Sequence, residues 1–250
     1  MSTNAVQYAA AALSDRGRKR PSNEDAFGFS VECGVYAVCD GMGGAAAGEI
    51  ASSLAVEELL RHLASDARDK TAPLDEVVVE AIRAANETIH SRARSNARIS
   101  GMGTTLVGLA TEGRRILAFN VGDSRCYRLR NLHLEQISLD HSLVEEQVRS
   151  GRMTPDEALR SPLRSVITRA LGTQDEVTPD LFELEAEPGD LFLLCSDGLT
   201  GELADPLIES MLAADLPLEE QCDRLVKAAK KAGGHDNITC LLVRVENWDL

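Results

Sequence analysis

No apolar run in this 250-residue sequence approaches the roughly 18 residues of a membrane-spanning helix, and Leu191-Phe192-Leu193-Leu194-Cys195 is among the longest. Met1 to Leu13 is rich in alanine but has neither the basic start nor the long apolar stretch of a secretory leader, so a cytoplasmic location is expected. The six cysteines (Cys33, Cys39, Cys126, Cys195, Cys222 and Cys240) include no C-x-x-C pair. Several sit in apolar stretches, which reads as buried free thiols in a reducing compartment. Basic residues are scarce: 26 Lys and Arg stand against 40 Asp and Glu, a net charge of −14. That field disfavours nucleic acid and anionic membrane as partners. It is compatible with cation binding, although most surface acids are simply solvated. No repeat, low-complexity tract or Pro/Gly/Ser linker divides the chain, so residues 1–250 are expected to form one domain.

What is present is ordinary for a globular protein, with 44% hydrophobic and 26% charged residues. Three segments carry helical periodicity: Val56, Leu59, Leu60 and Leu63; Val78, Ala81, Ile82, Ala85 and Ile89; and Leu218, Cys222, Leu225, Val226 and Ala229. Short runs between them predict strands at Val35–Cys39, Thr105–Leu109, Ile116–Val121, Cys126–Leu129, Leu191–Cys195 and Ile238–Val245. The order is strands, two helices, a block of strands, a helical interruption, more strands, a helix and a last strand. Parallel βαβ units alternate strictly, so this order predicts an α+β fold of antiparallel sheets covered by helices.

Five aspartates share one local setting. Asp25 precedes an apolar stretch, Asp40 ends Val35–Cys39, and Asp123 follows Phe119-Asn120-Val121-Gly122. Asp197 follows Leu191–Cys195 and Ser196, and Asp236 opens Asn237-Ile238-Thr239 after a glycine pair. A hard divalent cation takes oxygen ligands, and one carboxylate per strand end supplies them rigidly. Carboxylates converging without a cation would repel and raise each other's pKa. For any single Asp-Gly a plain turn is the alternative, and spacing does not decide whether the five converge. Arg20 stands four residues before Glu24 and five before Asp25. Its guanidinium fork can hold two phosphate oxygens, and a solvated arginine in the basic stretch Arg16–Arg20 is the alternative.

Together these segments resemble the PPM family of metal-dependent protein phosphatases, the protein phosphatase 2C-like enzymes, in their compact bacterial form. The matching pieces are Arg20-x-x-Asn23-Glu24-Asp25, Asp40-Gly41-Met42-Gly43-Gly44 with Gly48-Glu49, Gly103-Thr104-Thr105, and Gly122-Asp123-Ser124-Arg125. They continue with Asp140-His141-Ser142, Thr168-Arg169-Ala170-Leu171-Gly172, Ser196-Asp197-Gly198-Leu199 and Asp236-Asn237-Ile238-Thr239. The resemblance implies a four-layer αββα sandwich: two five-stranded-type antiparallel sheets flanked by helices, one catalytic domain, and a helical flap at about 142–169. It implies a protein-serine/threonine phosphatase that uses Mg²⁺ or Mn²⁺, two ions tightly bound and a weaker third. Asp40 would bridge the two ions, with the Gly41 carbonyl on one of them. Asp197 and Asp236 would complete one shell, Asp25 and Glu24 would act through metal-bound waters, and Asp123 with Asp197 would hold the third ion. Hydroxide bridging the two metals would attack phosphorus while Arg20 holds the phosphate. Phosphorylated proteins, made by a bacterial serine/threonine kinase, would be the partners of a monomer. No C-x5-R cysteine-phosphatase loop is present.

One position departs from the family pattern. Relatives carry histidine where Met42 or Ala45 stands here, and neither residue can donate a proton to a departing alkoxide. Metal-bound water or another group is left for that step. His141 is a candidate, with a structural histidine at a turn as its alternative, and His235 reads as a loop residue. The segment 142–169 contains two capping signatures, Ser142-x-x-Glu145 with Gly151 beyond it, and Thr154-Pro155-Asp156-Glu157. Between residues 149 and 169, Arg149, Arg152, Arg160, Arg164 and Arg169 stand against only Asp156 and Glu157, which reads either as ordinary surface charge or as a patch for phosphopeptides. A phosphatase for small phosphoesters and an inactive binding module are the other readings. Loss of Asp40, Asp197 or Asp236 would mark the latter, and all three are present.

Overall fold

The apolar run Val35–Cys39 is buried on both faces, and its alternation separates two layers of core. Val35, Ala37 and Cys39 pack with the helical residues Leu59, Val78 and Ile82, whereas Tyr36 and Val38 pack with Phe192, Leu194 and Leu241. Side chains alternate with period two along a strand, so a strand buried on both sides lies between two layers. The computed structural model describes residues 6–64 and 71–246. In it, β1 (Tyr8–Asp15), β7 (Arg125–Arg130), β8 (His133–Gln136), β10 (Leu191–Cys195) and β11 (Ile238–Val245) form one sheet in the order β1-β11-β10-β7-β8. The second sheet runs β2 (Asp25–Ser30), β3 (Val35–Met42), β5 (Leu106–Glu112), β6 (Arg115–Val121) and β9 (Asp180–Glu185), with the two-residue β4 (Gly103–Thr104) added to the end of β3. All of these pairings are antiparallel. The second sheet thus has six strands where five were expected, because β4 pairs with Gly41 and Met42.

Two helices, α1 (Ala45–Leu63) and α2 (Leu74–Ser95), cover the second sheet. The other sheet is covered by α5 (Asp197–Thr200), α6 (Asp205–Leu212) and α7 (Leu218–Ala232). The order of elements predicted antiparallel sheets covered by helices, and this is the helix–sheet–sheet–helix stack that the family resemblance implied. Charges at the ends of α2 suit its dipole, with Asp75 and Glu76 in the first turn and Arg92 and Arg94 in the last. Five cysteines are buried and Cys33 is only half-buried; all six are free thiols. No helix among the described residues is long and apolar enough to cross a membrane.

The segment 142–169 leaves the sandwich and returns to it. An isolated bridge between Ser142 and Ile167 closes its root, and α3 (Leu143–Arg149) and α4 (Pro155–Arg160) form its body. Thr154 and Glu157 make the reciprocal capping box expected of them. Ser142 makes only half of one: its Oγ accepts from the Glu145 amide at 3.3 Å, while Glu145 does not bond back and turns toward an adjoining cleft. Gly151, at φ +70°, follows the end of α3, as its spacing predicted.

Candidate active site

Where β2 and β3 pair, Asp25 lies directly opposite Asp40. Two contacts with no room for a side chain bring the remaining acidic positions toward them. A Cβ on Gly41 would stand 2.1 Å from the Gly48 carbonyl oxygen, so the end of β3 and the first turn of α1 touch backbone to backbone. A Cβ on Gly198 would stand 1.8 Å from the Asn237 carbonyl oxygen, so Asp197 and Asp236 approach each other only because residue 198 is glycine. Arg20, Glu24, Asp40, Gly41, Asp123, Asp197 and Asp236 all line one pocket of about 290 Å³, with Met42, Thr105 and Ile167. Asp25 does not line it and lies underneath.

The carboxyl groups crowd one another. Asp40 is pushed well above the ordinary carboxylate range, by burial first and then by the charges of Asp25, Asp197, Asp123 and Asp236. Burial, followed by Asp197 and Asp236, raises Asp25 to about 7 against the hydrogen bonds it accepts. Asp123 is likewise raised to about 7 by burial and by Asp197 and Asp140. Asp197 is raised by burial and Asp236, and Glu24 by burial with Arg20 opposing. Arg20 extends Nη2 to 2.5 Å from Asp236 Oδ2, at the more exposed edge of the pocket.

Around the acids lies a frame of small polar side chains. Asp25 Oδ2 accepts from Ser196 Oγ at 2.8 Å and Thr239 Oγ1 at 2.6 Å, while its buried Oδ1 has no partner. The Asp40 amide donates to Thr105 Oγ1 at 2.9 Å, and that hydroxyl meets Ser124 Oγ at 2.7 Å. Asn237 is the hub of the arginine-bearing segment. Its Nδ2 donates to the carbonyls of Arg16 and Ser22 at 3.0 and 2.9 Å, and its Oδ1 accepts the Glu24 amide at 2.7 Å. Sequence reasoning quoted these residues as motif neighbours and gave them no role. The available signal was a hydroxyl or amide residue beside Asp123, Asp197 and Asp236.

The donor set suits a hard divalent cation. It is all carboxylate and carbonyl oxygen, it includes an orphaned buried carboxylate oxygen, and its raised pKa values mark negative charge in want of a counter-charge. As the side chains stand, no three carboxyl, imidazole or thiol groups among the described residues are arranged to hold an ion at once. The convergence is one of strand ends and of electrostatic neighbourhood.

Neither histidine is part of this wall. His141 is buried, accepts the Gly122 amide at Nδ1 over 3.0 Å, and has Nε2 3.1 Å from Asp180 Oδ2 but out of line for a hydrogen bond. Burial lowers its pKa, with Asp180 opposing. It is a strut between β6, the loop before α3 and β9. His235 is exposed and holds Glu202 Oε1 at 2.7 Å. Met42 lines the pocket, and the side chain of Ala45 lies outside the described residues. Arg169 donates to Asp180 Oδ1 at 2.7 Å and so leaves four of the five flap arginines for the patch.

The family model described as Protein phosphatase 2C matches residues 15–242. The chain is 43% identical over 244 residues to the serine/threonine protein phosphatase PstP of Mycobacterium tuberculosis, covering 96% of this chain and 45% of that protein. The chain therefore spans just under half the length of that relative. It is 39% identical over 238 residues to the serine/threonine phosphatase stp of Listeria monocytogenes, covering 92% of each. A crystal structure of the PstP catalytic domain in complex with two manganese ions superimposes with a TM-score of 0.87 at 37% identity, covering 97% of this chain and all of that one.

Proposed function

The chain belongs to the protein phosphatase 2C family, and from that premise we propose that it hydrolyses phosphoserine and phosphothreonine in other proteins. The observation that carries the reading is the pocket wall, where Arg20 stands at the rim of a cluster made by Asp40, Asp123, Asp197 and Asp236. Asp40, Asp197 and Asp236 are the proposed ligands of two tightly held Mg²⁺ or Mn²⁺ ions, with the Gly41 carbonyl on one. Asp25 and Glu24 act on them through water, and Asp123 with Asp197 takes a weaker third. When bound, the ions supply a water acidic enough to attack phosphorus near neutral pH.

The protein's own residues do the rest. Asp25, tied to Ser196 and Thr239, fixes a carboxyl group opposite Asp40. Arg20 exchanges Asp236 for two phosphate oxygens and offsets charge on the equatorial oxygens as the bond to the serine or threonine oxygen lengthens. No protein nucleophile is required. Cys39, the thiol adjacent in sequence, is buried and its pKa is driven up, first by burial and then by Asp25 and Asp40, so it is no thiolate.

Phosphoproteins made by a bacterial serine/threonine kinase are the proposed substrates, and a cytoplasmic signalling role goes with them. The relatives' names, serine/threonine protein phosphatase and serine/threonine phosphatase, support phosphoprotein substrates. The test is Mn²⁺-dependent phosphate release from a phosphothreonine peptide, beside p-nitrophenyl phosphate, with and without chelator. Peptide turnover should vanish with chelator and return with Mn²⁺. Chelator-resistant turnover, or turnover of the small ester alone, would contradict the proposal.

A further inference from the structure

A second cleft, of about 330 Å³, opens beside the catalytic pocket and shares Asp123, Ser165 and Asp197 with it. The two differ in chemistry. The catalytic pocket is walled mainly by carboxylates, an arginine and glycine backbone. On the flap side of the cleft, Val144 and Val148 of α3 and Pro155, Ala158 and Leu159 of α4 form an apolar strip, with Glu145 and Arg164 beside it. A phosphate group gains nothing from that surface. An apolar group tethered to the phosphate would, because the clefts meet at Asp123 and Asp197.

The flap also holds three large apolar side chains in the open. Leu159 is 73% exposed, Leu163 46% and Val166 43%, all within eight residues of sequence. Single exposed leucines are common on protein surfaces, but a cluster bordering a cleft marks a contact surface. Leu159 belongs to both the cluster and the cleft. Its exposure means that it is not packing the flap onto the sandwich.

We propose that this cleft takes one apolar side chain of the phosphopeptide, within about three residues of the phosphorylated serine or threonine. The inference rests on the protein-phosphatase reading above. An extended peptide advances about 3.3 Å per residue and presents alternate side chains to one surface, so a chain with its phosphate at Arg20 reaches the neighbouring cleft with a nearby side chain. Leucine, methionine or phenylalanine suits the apolar strip of the flap and the volume, which lies at the lower end of ligand-sized pockets. Selectivity from such a pocket is on the order of 10-fold per well-buried apolar group.

The experiment uses phosphothreonine peptides of uniform background with leucine or glutamine at each position from three before to three after the phosphothreonine. Leucine and glutamine are alike in size and uncharged, so the arginines do not enter the comparison. At one position leucine should raise kcat/KM about 10-fold over glutamine, with no change between low and high salt. In Leu159→Glu, whose exposed site tolerates the change, that ratio should fall to about one. Equal rates for leucine and glutamine at every position would overturn the proposal, as would a preference that survives Leu159→Glu. A protein that turns over p-nitrophenyl phosphate but none of the peptides would instead overturn the protein-phosphatase reading, and the cleft assignment with it.

Discussion

Arg20 and Asp236, 216 residues apart in sequence, meet with Nη2 2.5 Å from Oδ2. The side chain proposed to hold phosphate is thus paired with a side chain proposed to hold metal. Both are part-exposed, at 48% and 32%, so the contact is a weak, exchangeable one. Arg20→Ala should therefore raise KM for phosphopeptide by about 10-fold or more while Mn²⁺ affinity stays level or improves, because Asp236 loses a competitor. Arg20→Lys should recover only part of the loss, having no two-pronged donor. Steady-state kinetics beside a calorimetric Mn²⁺ titration separates the two effects. A fall in Mn²⁺ affinity with unchanged KM would remove Arg20 from phosphate binding.

Four of the acids should sort into two groups. Asp40→Asn, Asp197→Asn and Asp236→Asn are each expected to lower turnover at least 100-fold and to reduce metal stoichiometry, since each removes charge from a cluster that cations balance. Asp123→Ala should keep two ions and lose turnover all the same. Metal content by elemental analysis, measured on the samples used for kinetics, decides between them. An Asp123→Ala protein as fast as the parent would retire the third-ion role.

Without divalent ions the acid cluster should make stability fall as pH rises. Asp25 has a folded-state pKa of about 7, against about 3.9 in an unfolded chain. Between those values the folded protein holds a proton that the unfolded chain has lost, so each step upward in pH favours unfolding. Asp40, Asp123 and Asp197 are raised and act in the same direction. Asp15, Asp180 and Glu202 lie below their ordinary range and have made their stabilising contribution by about pH 5. In chelator, Tm at pH 7.5 should be a few degrees below that at pH 5. Asp25→Asn should narrow the gap, because an amide oxygen still accepts from Ser196 and Thr239. A Tm that climbs from pH 5 to 7.5 in chelator would speak against this electrostatic picture.

On the flap, Arg160→Ala combined with Arg164→Ala should lower kcat/KM for an acidic phosphoprotein several-fold more than for p-nitrophenyl phosphate. The difference should shrink with salt, since exposed charges are screened within about 8 Å at physiological ionic strength. Arg169, held by Asp180, is excluded from this effect and serves as the control. Equal losses on both substrates across a salt series would make these arginines part of flap structure only.

Asn237→Ala should be among the costlier polar substitutions in the molecule. It removes three hydrogen bonds that tie residues 16–24 to the start of β11 and strands their partly buried partners, a loss of about 2–3 kcal/mol. Arg20 then loses its placement, so KM for phosphopeptide should rise in step with the drop in Tm. Urea denaturation and kinetics on one preparation would test both, and an unchanged midpoint would dismiss the hub.

How far the sequence could be read follows from where the information sits. β10 and β11 were legible because Leu191–Cys195 and Ile238–Val245 are apolar on both faces and end at an acidic turn. β1 was not, because Tyr-Ala-Ala-Ala-Ala-Leu-Ser-Asp has little strand preference of its own and becomes a strand by pairing along all eight residues with β11. β8, β9 and α6 were missed for a related reason: they are short outer elements whose place is set by neighbours. The aspartates could be named from their strand-end positions. Their meeting depends on contacts such as Gly198 against Asn237, which no local pattern encodes.

The long reach of that last strand has a consequence during synthesis. Asp25 is held by Thr239, Glu24 by Asn237, and among the described residues β1 pairs only with β11. A ribosome that has made the first nine-tenths of these residues has therefore made no phosphate site, however much of the second sheet has already collapsed. Nascent chains and prematurely terminated products stopping before β11 lack the strand that holds Asp25 and Glu24, so the proposed site forms only once β11 has been made.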